Sequence, residues 1–221
     1  MSYFKNDFFT FFEELEKNNN KEWFHANKSR YNQFVKIPFE NFTSEFIFEI
    51  QNRDATLKIE AKECILRINK DIRFSKDKSP YNLHVTAFIS NGGRKDKTIP
   101  GLYIRLSREM TGIMGGCYNP NKEQLHNLRN AIFRNKVEFN NIIKNSTFTN
   151  KFGELKGEEM KRVPKEWVPK VEEVPLLIKK QFYVASELNP QRMLQDNFMD
   201  SVLEHWEALN PFNAFLLKNL N

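Results

Sequence analysis

The stretch LRINKDIRF, residues 66–74, is where the hydrophobic spacing of this chain changes from the period of a helix to that of a strand. Apolar and polar residues alternate from Leu66 to Phe74, and side chains two residues apart lie on one face of a strand. Lys70 is the one misfit on the apolar side. The pattern predicts a strand over residues 66–74.

Three further segments downstream have the spacing of strands, and short polar connections separate them. Short connections of this kind are typical of an antiparallel meander, because parallel strands need long crossovers. The sequence therefore predicts an antiparallel sheet of about four or more strands within residues 61–118. The additional predicted strands cover residues 83–89, 102–106 and 111–118.

The segments on both sides of the predicted sheet have helical spacing. Residues 4–15 carry apolar side chains at steps of three and four, with Asp7 or Thr10 as the expected cap and Asn18 at the expected end. A second helical stretch runs from about Lys21 and is interrupted at Pro38, where we expect a kink or two abutting helices. Residues 119–221 are predicted to be mostly helical, including the apolar residues Leu176, Leu177, Phe182 and Val184.

These patterns predict an α+β fold in which an antiparallel sheet in the middle of the chain is packed by N-terminal and C-terminal helices. Because no linker or repeat divides the chain, we expect a single domain over residues 1–221, with residues 1–60 helical. With 40% hydrophobic residues among 221, the chain is too apolar for a disordered protein. No signal peptide or membrane segment is recognisable, and Cys64 and Cys117 have no metal-like spacing, which predicts a cytoplasmic location.

The positive charge of the chain is concentrated in one segment. Residues 61–110 carry 11 Lys or Arg against 5 Asp or Glu, so this segment alone equals the formal net charge of +6. A concentrated positive field attracts phosphate, carboxylate or nucleic acid. A solvated basic surface that only keeps the protein soluble is the plainer alternative.

Within this segment, the predicted strand over 66–74 places Arg67, Asp71 and Arg73 on one face. Asp71 would hold both guanidinium groups, which leaves their other N–H groups free for a planar anion. Lys78 and Tyr81 follow on the turn and would close the site. The alternative is that the three residues form an ion-pair ladder with a purely structural role.

Neighbouring strands add three polar side chains, which alternate with apolar core positions. If the strand register permits, they share the polar face of the sheet: His84, Tyr103 and Arg105.

The same stretch is similar to the signature of an uncharacterised bacterial family, domain of unknown function 2461. That signature is Arg-x-x-Arg-Asp-x-Arg-Phe followed by Lys-x-Pro-Tyr. Lys70 stands where the signature has a second Arg, which keeps the charge but lacks the bidentate fork. The resemblance covers nearly the whole chain and implies membership of the family, but no activity. The matching residues are Arg67, Asp71, Arg73, Phe74, Lys78, Pro80 and Tyr81.

The function predicted from these residues is binding of a small molecule that carries a phosphate or carboxylate group. If a reaction follows, His84 or Asp71 would transfer the proton in metal-free acid–base chemistry. The spacing of the four His predicts no metal site, and no cofactor motif or membrane partner is expected. The predicted ligand-binding residues are Arg67, Asp71, Arg73, Lys78, Tyr81, His84, Tyr103 and Arg105.

Two other functions stay open at this stage. A nucleic-acid-binding module could use the same basic segment, with Tyr81 and Tyr103 as stacking platforms. Against it, Phe74 and Phe88 are expected to face inward. The third alternative is a structural or interaction protein without a ligand.

Overall fold

In a computed structural model, which describes residues 2–220, helix α1 (Asn6–Lys17) buries the apolar stripe that its sequence predicts. The helix ends at Asn18, as expected. The predicted caps Asp7 and Thr10 are wrong, because the helix already begins at Asn6 and both residues lie within its first turns. Its N-cap is Lys5, which makes no side-chain cap. The buried side chains are Phe8, Phe11, Phe12 and Leu15.

The second helical stretch is broken into several pieces. Asn20 caps the first piece by accepting a hydrogen bond from the backbone N–H of Trp23. The predicted interruption near Pro38 is confirmed: a π-helical turn occupies Asn32–Lys36, and Pro38 lies in the first turn of the next helix, where no donor is needed. The pieces are α2 (Lys21–Ala26), α3 (Lys28–Tyr31) and α4 (Ile37–Arg53). Residues 54–60, which were expected to be helical, are not, and a short helix α5 (Ala61–Cys64) follows them.

The predicted antiparallel sheet is present and has four strands that pair in chain order. A hydrogen bond of 3.1 Å from Ser107 N to Met110 O closes the tight turn between the second and third strands. The predicted strands over 83–89, 102–106 and 111–118 are confirmed within one or two residues. The strands are β1 (His84–Ile89), β2 (Gly101–Ser107), β3 (Thr111–Cys117) and β4 (Phe182–Leu188).

The prediction of a strand over 66–74 is wrong. This segment is irregular and meets the chain around β1 only at two isolated antiparallel bridges, Ile65 with Ala87 and Asn69 with Tyr81.

Pairing does not continue beyond Asn69 because the next antiparallel pair would need a backbone N–H at residue 80, and Pro80 has none. Side-chain bonds within the loop also favour an irregular backbone. The carboxylate of Asp71 accepts from the N–H of Arg73, and that of Asp77 accepts from the N–H of Ser79. Local bonds of this kind compete with regular secondary structure.

Strand β4 is a second correction, since its residues were expected to be helical. From Phe182 to Ser186, every second side chain is buried, which is the period of a strand. Upstream, Pro175–Ile178 forms a 3₁₀ turn. The sequence pattern was misleading because two apolar pairs, Leu176 with Leu177 in the turn and Phe182 with Val184 in the strand, together resemble the spacing of a helix.

The remaining helices of the described chain lie between β3 and β4 and after β4. They are α6 (Lys122–Arg134), α7 (Lys136–Ile143), α8 (Ser146–Phe152), α9 (Val168–Glu173) and α10 (Phe198–Lys218).

The described residues divide into two compact units, each made of several chain segments. The first unit holds the residues up to Lys95, with Tyr103–Ile113 and Glu187–Leu203. The second holds Asp96–Leu102, Met114–Ser186 and the residues from Glu204 onward. The single domain over 1–221 stays a prediction.

Each unit has an aromatic core of its own. In the first, the ring of Phe42 contacts those of Phe4 and Phe198, and in the second, the ring of Phe212 contacts those of Phe139 and Phe148. Offset and edge-on contacts between aromatic rings stabilise such cores beyond the area they bury.

Candidate functional site

The sequence-predicted site residues separate into two groups, both in the first unit. One group lies on an irregular segment that we call the charged loop (residues 67–80) and on Tyr81, which directly follows it. The other group lies on β1 and β2. Lys70 connects the two groups.

Asp71 and Arg73 form a bidentate ion pair on the charged loop. The guanidinium donates from Nε to Oδ1 at 2.9 Å and from Nη2 to Oδ2 at 2.6 Å. Hydrogen bonds from Arg73 lower the pKa of Asp71 to about 2, and the charge of Arg67 acts in the same direction. Both side chains are exposed, Arg73 to 77% and Asp71 to 44%.

The expectation that Asp71 holds two guanidinium groups is not met. In the described chain its hydrogen bonds come from Arg73 alone, and Arg67 is exposed and acts on it only through its charge. Nor is the pair part of a ladder between a strand and a helix, because both partners lie two residues apart on the same loop.

Lys70, the misfit of the sequence pattern, holds the charged loop together. Its Nζ donates to Oδ2 of Asp77 at 2.8 Å and to Oγ of Ser79 at 2.7 Å. These bonds and those from Ser79 keep the pKa of Asp77 far below its usual range. Lys78 is exposed and donates from Nζ to the carbonyl oxygen of Ile72 at 3.0 Å.

Tyr81 belongs to the core of the first unit. Its ring is only 4% exposed and stacks on Phe24, with centroids 4.0 Å apart and planes 17° apart. The side-chain amide of Asn19 holds its backbone N–H and carbonyl oxygen. Burial raises the pKa of Tyr81. Its main role in this structure is therefore to anchor the end of the charged loop.

On the sheet, His84 begins β1, and Arg105 lies on β2 two residues after Tyr103. All three are half-buried and alternate with fully buried neighbours such as Ile104. Strand alternation therefore places Tyr103 and Arg105 on the face opposite that core, as the sequence predicts.

The histidine is neutral over the physiological pH range. Burial lowers the pKa of His84 to about 4; the positive charges of Arg105 and Lys70 also lower it, whereas Glu109 opposes them. Because both cations act on the pKa of His84, we call Lys70, His84 and Arg105 the basic cluster.

Arg105 carries the clearest sign of an unmet interaction. Its Nε is buried and has no hydrogen-bond partner. Among residues 2–220, no carboxylate lies within ion-pair distance of this guanidinium, which is partly removed from water. A buried donor on a charged group is costly unless it is satisfied, and an anion would satisfy it.

Phe74 overturns one sequence expectation. It was expected to face inward, yet it is 96% exposed at the charged loop, with the guanidinium of Arg73 5.9 Å from its ring centroid. The two-residue spacing misplaced it because the segment is not a strand. Phe88, by contrast, is buried as expected.

The described part of the chain offers neither a metal-binding cluster nor a membrane-spanning helix. It holds no group of three or more His, Cys, Asp or Glu that could bind a metal ion. None of its helices is both long and apolar enough to cross a membrane. Cys64 and Cys117 are buried free thiols, and burial raises the pKa of each to about 12.

Together these features define an α+β protein with a basic cluster on an antiparallel sheet and an adjoining charged loop. The chain belongs to the family DUF2461, described as a conserved hypothetical protein, whose model matches residues 7–215. No curated protein matches the chain. Because the family description names no activity, the function has to be inferred from the site.

Proposed function

We propose that this protein binds a small anion, carrying a phosphate or carboxylate group, at the basic cluster. The observation that carries the proposal is the buried, unpartnered Nε of Arg105. A guanidinium binds planar and tetrahedral oxyanions with two parallel hydrogen bonds. The Nε of Arg105 has no protein partner that would compete with such a ligand.

The neighbours of Arg105 support an anionic ligand. His84 is neutral mainly because burial lowers its pKa, and the positive charge of Arg105 acts in the same direction, so its ring acts as a hydrogen-bonding group. Lys70 adds a permanent charge close by. An anion at this position would interact favourably with both cations.

The charged loop has a supporting role in the proposal. Arg67, Arg73 and Lys78 raise the positive potential that draws an anion toward the cluster. The fork from Arg73 to Asp71 keeps that guanidinium oriented, while its remaining N–H groups stay available. We propose that these residues close over the bound anion.

The proposal covers binding and assigns no catalytic step. In the free protein, His84 has a pKa of about 4 and Asp71 of about 2. A group with so low a pKa is a weak base near neutral pH.

The test is a phosphate titration followed by NMR at the ring C–H of His84, at constant ionic strength. We expect a saturable shift in the wild type and binding weakened about tenfold or more in Arg105→Gln, since a charge-assisted pair is lost. Lys95→Gln, which removes an exposed charge from the same basic segment, is the matched control. Equal weakening in both variants, or no shift in the wild type, would contradict the proposal.

A second candidate function, binding of single-stranded nucleic acid, is favoured by the exposure of Phe74. An aromatic ring beside cations is the arrangement on which bases stack while phosphates are neutralised. Labelled oligonucleotides followed by fluorescence anisotropy would test it. Phe74→Ala should then weaken binding, whereas Phe48→Ala, which removes an exposed ring from α4, should not. If neither substitution changes the affinity for the oligonucleotide, the charged loop has no role in binding it.

A further inference from the structure

A buried arginine in the second unit lacks an anionic partner. Arg129, in α6, is only 8% exposed. Within the described residues, its guanidinium makes one hydrogen bond, from Nη2 to the carbonyl oxygen of Lys179 at 2.8 Å. Its Nε is buried and has no partner. Most of the donors of this side chain are therefore unused.

The surroundings of Arg129 are cationic. The ammonium group of Lys170 lies 4.5 Å from the ring centroid of Trp167, and the guanidinium of Arg129 lies 5.9 Å from the same centroid. The side chain of Lys179 is only 12% exposed, and its contact with Glu159 is a loose 3.7 Å.

Two carboxylates of this unit pair with other lysines. Glu173 pairs with Lys136, and Glu158 pairs with Lys180. Over the part of the chain that the structure describes, no carboxylate forms an ion pair with Arg129. Burial without a compensating charge lowers the pKa of Arg129.

The contacts that Arg129 does make compensate its charge only in part. A neutral carbonyl oxygen offers one acceptor, and the Trp167 ring offers a diffuse negative face. Buried charges are normally paired with an opposite charge, because breaking their hydration is costly.

We propose that Arg129 and Lys170 bind a phosphate-type oxyanion beside Trp167. Arg129 offers its free Nε, and Lys170 offers the ammonium hydrogens left after its bond of 3.1 Å to Oδ1 of Asn130. Two cations beside one indole ring favour a ligand of more than one negative charge. This site uses residues of the second unit and is independent of the basic cluster in the first.

The neighbouring indole provides a local signal for the test. Inorganic phosphate is titrated at constant ionic strength while tryptophan emission is recorded, with acetate and a phosphomonoester as the other arms. We expect a saturable change with phosphate that is absent in Trp167→Phe, and little response to acetate. Saturation by the phosphomonoester alone would identify the ligand as an esterified phosphate.

The variants separate a ligand site from a structural cation. Arg129→Gln should weaken phosphate binding about tenfold or more, and Lys170→Gln, which leaves Arg129 in place, should weaken it as well. Arg134→Gln removes an exposed charge from the same helix and should leave binding unchanged. The proposal is overturned if wild-type emission responds to neither phosphate nor the phosphomonoester, or if Arg134→Gln weakens binding as much as Lys170→Gln.

Discussion

The side-chain amide of Asn19 pairs with the backbone of Tyr81 as a neighbouring strand would. Its Nδ2 donates to the carbonyl oxygen of Tyr81 at 3.0 Å, and its Oδ1 accepts from the Tyr81 N–H at 3.1 Å. These two residues lie 62 positions apart in the chain. The contact therefore fixes the turn after α1 to the end of the charged loop.

Asn19→Ala is expected to lower the free energy of unfolding by about 1–3 kcal/mol, because it leaves two backbone groups of a buried residue without partners. Urea denaturation measures this loss. Asn18→Ala is the control, since Asn18 makes only a local, exposed bond to the carbonyl oxygen of Glu14. An equally large loss of unfolding free energy in Asn18→Ala would show that the contact with Tyr81 does not account for the effect of Asn19→Ala.

His84 gives a prediction on pH. Its pKa in the folded protein is about 4, below the ordinary value of 6.5 that applies to the unfolded chain. As the pH falls from 6.5 toward 4, the unfolded chain therefore binds a proton that the folded protein does not. Stability is expected to fall over this window, and His84→Gln should reduce that fall when unfolding is measured at several pH values.

The same residue should report ligand binding. A bound anion favours the imidazolium form, so phosphate is expected to raise the pKa of His84 in an NMR titration. A pKa of His84 that stays at its ligand-free value at saturating phosphate would place the anion elsewhere.

Arg73→Ala is expected to leave the free energy of unfolding almost unchanged. The pair with Asp71 is exposed and local, and such pairs contribute little to stability. Thermal unfolding monitored by circular dichroism would check this. A marked drop in the melting temperature would instead favour the structural role that the sequence left open.

Gly116 is expected to tolerate no side chain. Its φ is +108°, and a Cβ there would lie 2.3 Å from the carbonyl oxygen of Phe182 in β4. Gly116→Ala should therefore cost about 3 kcal/mol or more of stability. Gly153 also has a positive φ of 67°, but nothing lies within 4 Å of a Cβ, so Gly153→Ala should cost clearly less. Equal losses of stability in the two variants would show that the positive φ alone, and not the close approach of β4, sets the cost of the substitution.

Local spacing predicted the fold where one face of an element is buried. The strands β1 to β3 and helix α1 were found because their apolar side chains repeat with a clear period. The segment 66–74 has the period of a strand as well. It does not form one, because Pro80 lacks the backbone N–H that the next pair along the ladder would need.

The candidate site was only partly predictable for a similar reason. Alternation along the strands placed Tyr103 and Arg105 on one face and suggested that His84 shares it. The exposure of Phe74 and the burial of Tyr81 depend on how the charged loop folds back, which no local pattern encodes. Arg129 gave no signal at all, since an arginine in an amphipathic helix is ordinarily solvated.

Both outer strands of the sheet are covered by other parts of the chain. Ile65 bridges Ala87 along β1, and Lys156 bridges Tyr183 along β4, with a hydrogen bond of 2.8 Å from Lys156 N to Tyr183 O. A bare edge would offer a row of unpaired donors and acceptors to the sheet of another molecule, the usual start of aggregation. The irregular segments bridged to the two edge strands therefore hinder the pairing of this sheet, edge to edge, with the sheet of a second copy of the chain.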